Sequence, residues 1–153
     1  MSKDPEEIAG WQRLDNWTTT SGRLRDGDID KLAELGVRHV INLALSDSPG
    51  ALPDEAEELA QRGIRYTHIP VPFDAPEEGH YATFLEALRN GDRPVHVHCI
   101  MNWRVSAFFY RYHCESGAMS PETARILMEM QWSPETSDSP HAATWANFIT
   151  TGN

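Results

Sequence analysis

The stretch Pro94-Val95-His96-Val97-His98-Cys99-Ile100-Met101-Asn102-Trp103-Arg104-Val105-Ser106 decides how this chain folds. Its first half alternates Val and His, the two-residue period of a strand with unlike faces. Its second half passes into a helical pattern over 104–115. Cys99 therefore leaves a strand just as the chain turns toward a helix. In open α/β sheets, ligands bind beyond the carboxyl ends of the strands, where loops feed helix N-termini. Unpaired N–H groups and the helix dipole favour an anion there, and the same field favours a thiolate over a thiol. Cys99 is the candidate nucleophile. Arg104 offers the planar fork that suits a tetrahedral oxyanion. Ser106 is placed to donate a hydrogen bond to the sulfur, and His98 to orient the loop through a ring N–H. Ile100, Met101, Asn102 and Trp103 form the loop that would meet substrate. A cysteine after a buried strand is more often inert, and it is the Arg and Ser downstream that argue for chemistry.

Outward from this turn, short apolar runs alternate with helical stretches, the pattern of an α/β fold. Residues 37–43, 64–71 and 94–98 are rich in β-branched side chains and read as strands, with 17–20 as a fourth near an edge. Helical patterns cover 28–35, 53–62 and 80–89, each followed by a Gly stop signal. Beyond Cys99 the pattern stays helical, with Ser120-Pro121 and Ser139-Pro140 opening two further helices. The expectation is a short, mostly parallel sheet of four to five strands, flanked by helices, with a helical C-terminal third. Residues 11–153 form one domain behind a flexible segment at 1–10.

The 153 residues carry 23 acidic and 13 basic side chains, a net charge of −10. That balance disfavours duplex nucleic acid and anionic membranes, whose binding comes from neutralising many phosphates. A small anion held locally by N–H groups and one arginine stays compatible with it. Two cysteines are too few for a disulfide-framed secreted domain, and no run approaches a membrane span or a signal core. The chain reads as cytoplasmic.

The Cys99 loop resembles the signature of the cysteine-dependent protein tyrosine phosphatases, most closely the compact dual-specificity-like branch with bacterial members. That signature is His-Cys, five residues, Arg, then Ser or Thr. The likeness extends over 17–149, through Thr20-Ser21-Gly22-Arg23, Val40-Ile41-Asn42-Leu43, Tyr66-Thr67-His68-Ile69-Pro70-Val71 and Val95-His96-Val97-His98-Cys99. It implies a phosphatase-like fold, a cysteinyl-phosphate on Cys99, Arg104 holding the phosphoryl group, an upstream Asp as general acid, and no cofactor or metal. Its substrate would be a small phosphorylated molecule or a phosphoprotein. The chain departs from the signature in having four residues, 100–103, between Cys99 and Arg104, while Ser106 keeps the family's distance. Either the loop keeps its length, with Asn102 in the place of the loop glycine and Val105 in the arginine's, or the loop is one residue shorter. In the first case Arg104 points about 100° away around the helix. In the second the loop resembles that of rhodanese-type sulfurtransferases, which suits a persulfide. A third reading is a module that binds an anion or a protein without turnover.

Asp74, after the strand ending at Val71, is the candidate general acid, with Glu77 and Glu78 as alternatives; its bland reading is a turn-forming Asp before Ala-Pro. Arg23 would reach the rim of the cleft, as the corresponding turn does in similar proteins, or be a plain surface charge. Asn42 reads as a backbone cap. His96 and His98 share a strand face but lack a third metal ligand. Cys114 lies about 22 Å along a helix from Cys99, too far for a disulfide. Trp103 either shapes the mouth of the site or anchors the loop, and Trp132, Trp145 and Phe148 look like packing.

Overall fold

The computed structural model describes residues 3–150. In chain order the elements are β1 (Gln12–Asp15), β2 (Thr18–Ser21), α1 (Asp28–Leu35), β3 (His39–Asn42), α2 (Glu55–Gln61), β4 (Arg65–His68), α3 (Glu78–Asn90), β5 (Val95–His98), α4 (Trp103–Ser116), α5 (Pro121–Glu129) and α6 (Ala142–Thr150). The sheet order is β1-β2-β5-β3-β4, with β1 antiparallel to β2 and every other pair parallel. This is the mostly parallel α/β architecture that the alternating runs predict.

Strand alternation sorts the core onto two faces. Ile41, Val95 and Val97 pack with Phe84 of α3, Phe108 of α4, Met128 of α5 and Trp145 of α6. Val40 on the opposite face packs with Ile29 and Leu32 of α1 and Leu59 of α2. Helix α1 has the bounds read from the sequence and stops at Gly36, whose φ of 95° only glycine adopts freely. Helix α5 opens as Ser-Pro predicts, with Ser120 Oγ accepting the Thr123 N–H at 3.2 Å.

Two departures have clear physical causes. The strand of threonines lies near the edge as read, but a further strand, β1, lies outside it, and its Gln-Arg-Leu-Asp sequence carries no β-branched residue to betray it. Buried Thr19 and Thr20 are tolerated because each hydroxyl is bonded, to His96 Nδ1 at 2.8 Å and the Gln12 carbonyl at 3.3 Å. The segment expected to be loose is packed over residues 3–10: Ile8 is buried with Leu24 and Ile29, and Asp4 pairs with Arg13 at 2.6 Å. Residues 1–2 and 151–153 of the sequence reading lie outside the described residues. Among the described residues no helix is long and apolar enough to cross a membrane.

Candidate active site

Strand β5 runs between β2 and β3, so His98 sits in register with Ser21 and Asn42. Sheet pairing ends just there. The Cys99 N–H still reaches the Ser21 carbonyl at 3.4 Å, and the Ile100 carbonyl accepts the Arg23 N–H at 2.8 Å. Gly22 makes that approach possible, since a Cβ on it would lie 2.6 Å from the Ile100 oxygen. The backbone of Ser21-Gly22-Arg23 thus clamps the loop, and this is where the structure puts Arg23's clearest contact with the site.

Asn102 then turns the chain into α4 with φ 65° and ψ 9°, the one non-glycine residue with positive φ among the described residues. Its amide is fully buried. Nδ2 donates to the Gly10 carbonyl at 2.8 Å and to Thr20 Oγ1 at 3.0 Å, and Oδ1 accepts from Ser106 Oγ at 3.0 Å. The left-handed residue stands where the family loop has glycine, as in the alignment that keeps the loop length. Helix α4 begins at the next residue. Among the described residues, the N–H groups of Ile100, Met101, Asn102, Trp103, Arg104 and Val105 have no acceptor, which makes six consecutive donors available to an anion.

Cys99 and Arg104 open onto one cavity of about 330 Å³. Ile100, Met101 and Trp103 from the loop and Phe73 from the segment after β4 form its walls, and Leu45, Ser48 and Pro49 complete the rim. Val105, in the place the family gives to arginine, is wholly buried in the core, while Arg104 faces the cavity beside the cysteine. The expected 100° divergence therefore does not take Arg104 out of the site. The residue is 8% exposed, and its Nη1 donates a hydrogen bond to the Val71 carbonyl at 2.8 Å. Among the described residues it has no ion pair.

The side chains of three residues expected at the substrate turn behind the loop instead. Ser106 gives its hydroxyl proton to Asn102, not to the sulfur, because the helix carries it to the side facing Thr20. Asn102 is occupied as above. His98 turns away from the cavity, with Nδ1 at 3.2 Å from the Cys99 carbonyl and Nε2 at 2.6 Å from Glu55 Oε2. His96 has both ring nitrogens engaged. Ser21 Oγ gives its only proton to the Gly22 carbonyl, so it accepts from His96 Nε2–H, and Nδ1 accepts from Thr19. Burial, and then the charge of neighbouring His98, push His96 well below the ordinary imidazole range. No group of three or more metal-ligand side chains occurs among the described residues.

Asp74 is exposed in a turn closed by the Ala75 N–H on the Pro72 carbonyl at 3.2 Å. Phe73 before it is held by four rings. Its ring meets Trp103, Trp132, Trp145 and His141 at centroid distances of 5.7–6.0 Å, and its carbonyl accepts the Trp145 indole N–H at 2.6 Å. Trp103 both lines the cavity and anchors the loop, stacking on Trp132 at 4.7 Å. Trp132 and Trp145, read from sequence as packing alone, thus fix the position of the segment carrying Asp74. Of the alternative carboxylates, Glu78 pairs with Arg111, and Glu77 is the N-cap residue of α3, its N–H donating to His80 Nδ1 at 3.0 Å. Asn42 caps as expected, its Oδ1 accepting the Ala44 N–H at 2.9 Å. Cys99 and Cys114 are both free thiols. Sequence reading missed Glu55 and Phe73. For Glu55 the available signal was a carboxylate four residues before Leu59, on the buried face of α2.

No family model matches the sequence, and no curated protein does. Solved structures do. A DUF442 protein of Shewanella putrefaciens CN-32, named as a candidate phosphatase, is 27% identical over 95% of this chain and 91% of its own, with a TM-score of 0.78. The core catalytic domain of the PP-IP phosphatase SIW14 from S. cerevisiae, in complex with citrate, is 15% identical over 95% of this chain and 88% of its own, with a TM-score of 0.76. TpbA of P. aeruginosa, a cysteine-to-serine variant in complex with pTyr, is 18% identical over 95% of this chain and 91% of its own, with a TM-score of 0.66. The chain thus has the fold shared by cysteine-dependent protein tyrosine phosphatase-like proteins.

Proposed function

We propose that the chain is a phosphomonoester hydrolase that works through a phosphocysteine on Cys99. The observation that carries this reading is Arg104: a buried residue whose side chain has one carbonyl partner and, among the described residues, no carboxylate, and which lines the cavity that holds Cys99. A charge buried without a counter-charge is costly, and an oxyanion in the cavity supplies the missing partner. The thiolate attacks phosphorus, Arg104 and the loop N–H groups hold the equatorial oxygens, and the ester oxygen leaves with a proton from Asp74. Water then cleaves the S–P bond.

Among the described residues, Arg104 is the one charged side chain lining an otherwise mostly apolar cavity, in a chain of net charge −10. This favours one phosphate on an apolar body over a polyphosphorylated substrate. The loop length supports phosphate over persulfide, since left-handed Asn102 stands in the place of the phosphatase glycine. Release of phosphate from an aryl phosphate between pH 5 and 8 is the test. Cys99→Ser abolishes it, and Asp74→Asn slows it by about 10²-fold. Protein that releases no phosphate but carries cyanide-reactive sulfur on Cys99 is a sulfur carrier, and this proposal then fails.

A further inference from the structure

We infer that Glu55 is a positioning residue for the nucleophile loop, acting through His98 on the peptide plane that follows Cys99. This rests on the reading of the loop as an oxyanion cradle. Glu55 is 4% exposed on the inner face of α2, and its Oε2 lies 2.6 Å from His98 Nε2. A carboxyl group so removed from water needs such a partner. The other side of the ring meets the Cys99 carbonyl, with Nδ1 at 3.2 Å. A carbonyl only accepts, so Nδ1 carries a proton; the second proton lies between Nε2 and the carboxyl, whichever atom holds it. Glu55 thereby selects the ring orientation in which a proton, not a lone pair, faces Cys99.

The effect on the site follows from peptide geometry. In a trans peptide the carbonyl and the next N–H point in opposite directions, so holding the Cys99 carbonyl from behind turns the Ile100 N–H forward. Ile100 N–H is the first of the six donors without an acceptor. The second plane is held the same way, by the Arg23 N–H on the Ile100 carbonyl at 2.8 Å. Two successive donors are thus aimed by partners of the preceding carbonyls, before any anion arrives.

A purely stabilising role for the pair makes a different prediction. Replacing a buried ion pair by apolar side chains is often neutral or stabilising, so Glu55→Leu/His98→Phe removes the pair with no orphaned charge. The probe is inorganic phosphate, measured by calorimetry on the full chain, together with the rate of Cys99 alkylation in a Cys114→Ala background. The double variant loses phosphate affinity by about tenfold or more at an unchanged or raised melting temperature. Glu55→Gln, whose amide can donate to Nε2 and keep the Nδ1 proton on the carbonyl, stays within about threefold. Phosphate affinity and alkylation rate equal to wild type in the double variant overturn the role of Glu55 while leaving the phosphatase reading intact. Wild-type protein that binds no phosphate overturns the cradle itself.

Discussion

Helix α4 carries two buried arginines seven residues apart, and the molecule treats them in opposite ways. Arg111, 4% exposed, donates to both oxygens of Glu78 at 2.6 Å and to Glu115 at 2.9 Å, and lies over the rings of Tyr81 and Phe148 at 4.2 and 5.0 Å. Glu78 first, then Glu115, push its pKa above the ordinary arginine value despite burial. Arg104, 8% exposed, has the Val71 carbonyl and an open cavity. One guanidinium is saturated by the fold, and it ties α3, α4 and α6 together. The other is held in place by a single bond, with the rest of its fork left for a ligand. Equal burial on one helix therefore says little about role; the inventory of partners says much more.

The largest break in this comparison comes from Arg104→Met. It should lower phosphate release by about 10³-fold while leaving the melting temperature unchanged or higher, because an uncompensated charge is replaced by an apolar stem. Arg104→Lys recovers little, since a point charge does not reproduce the fork. A variant that melts early yet turns over normally would make Arg104 the structural arginine. Arg111→Met does the reverse: it costs about 2–3 kcal/mol of stability in denaturant unfolding, from lost ring contacts and ion pairs, and changes turnover of the folded protein by less than about threefold.

Why one arginine was legible in the sequence and the other was not follows from the range of their contacts. Cys99, Arg104 and the strand feeding them were readable because strand period, turn and helix start lie within thirteen consecutive residues. The parallel sheet was readable from β-branched runs, and α1 from its glycine stop. Glu55, 43 residues from His98, and Glu78, 33 from Arg111, meet their partners only after the sheet has assembled. No local period encodes such a meeting. Ser106 shows the other limit. Its spacing from Cys99 was right for a bond to sulfur, but buried Asn102 needed an acceptor's partner on the same helix face and received the hydroxyl instead. The aromatic clasp on Phe73 was split in the sequence among segments 30 to 72 residues away, each of which looked like ordinary packing.

The loop that aims Arg104 gives a finer test. Asn102→Gly keeps the left-handed turn and loses the amide's hydrogen bonds, whereas Asn102→Ala loses those bonds and also strains the backbone, by about 1 kcal/mol more. Unfolding of the two variants side by side isolates the backbone contribution, and equal stabilities would mean that the turn relaxes. The smallest effect is in the acid limb of stability. The hydrogen bond from Arg111, its largest influence, holds the Glu78 carboxyl below the ordinary carboxylate range. A depressed carboxylate stabilises the fold above its unfolded pKa of about 4.3 and loses that contribution as pH falls through the lower, folded value. The stability gap between wild type and Arg111→Met should therefore narrow below about pH 4, modestly, because Glu78 is 59% exposed and solvent screens the pair. Arg104, with no carboxylate partner, has nothing to lose in that range, so the gap between wild type and Arg104→Met should stay flat across it. A gap that narrows equally for both would show that Arg104 too is neutralised by an acidic side chain, and the distinction between the two arginines would be gone.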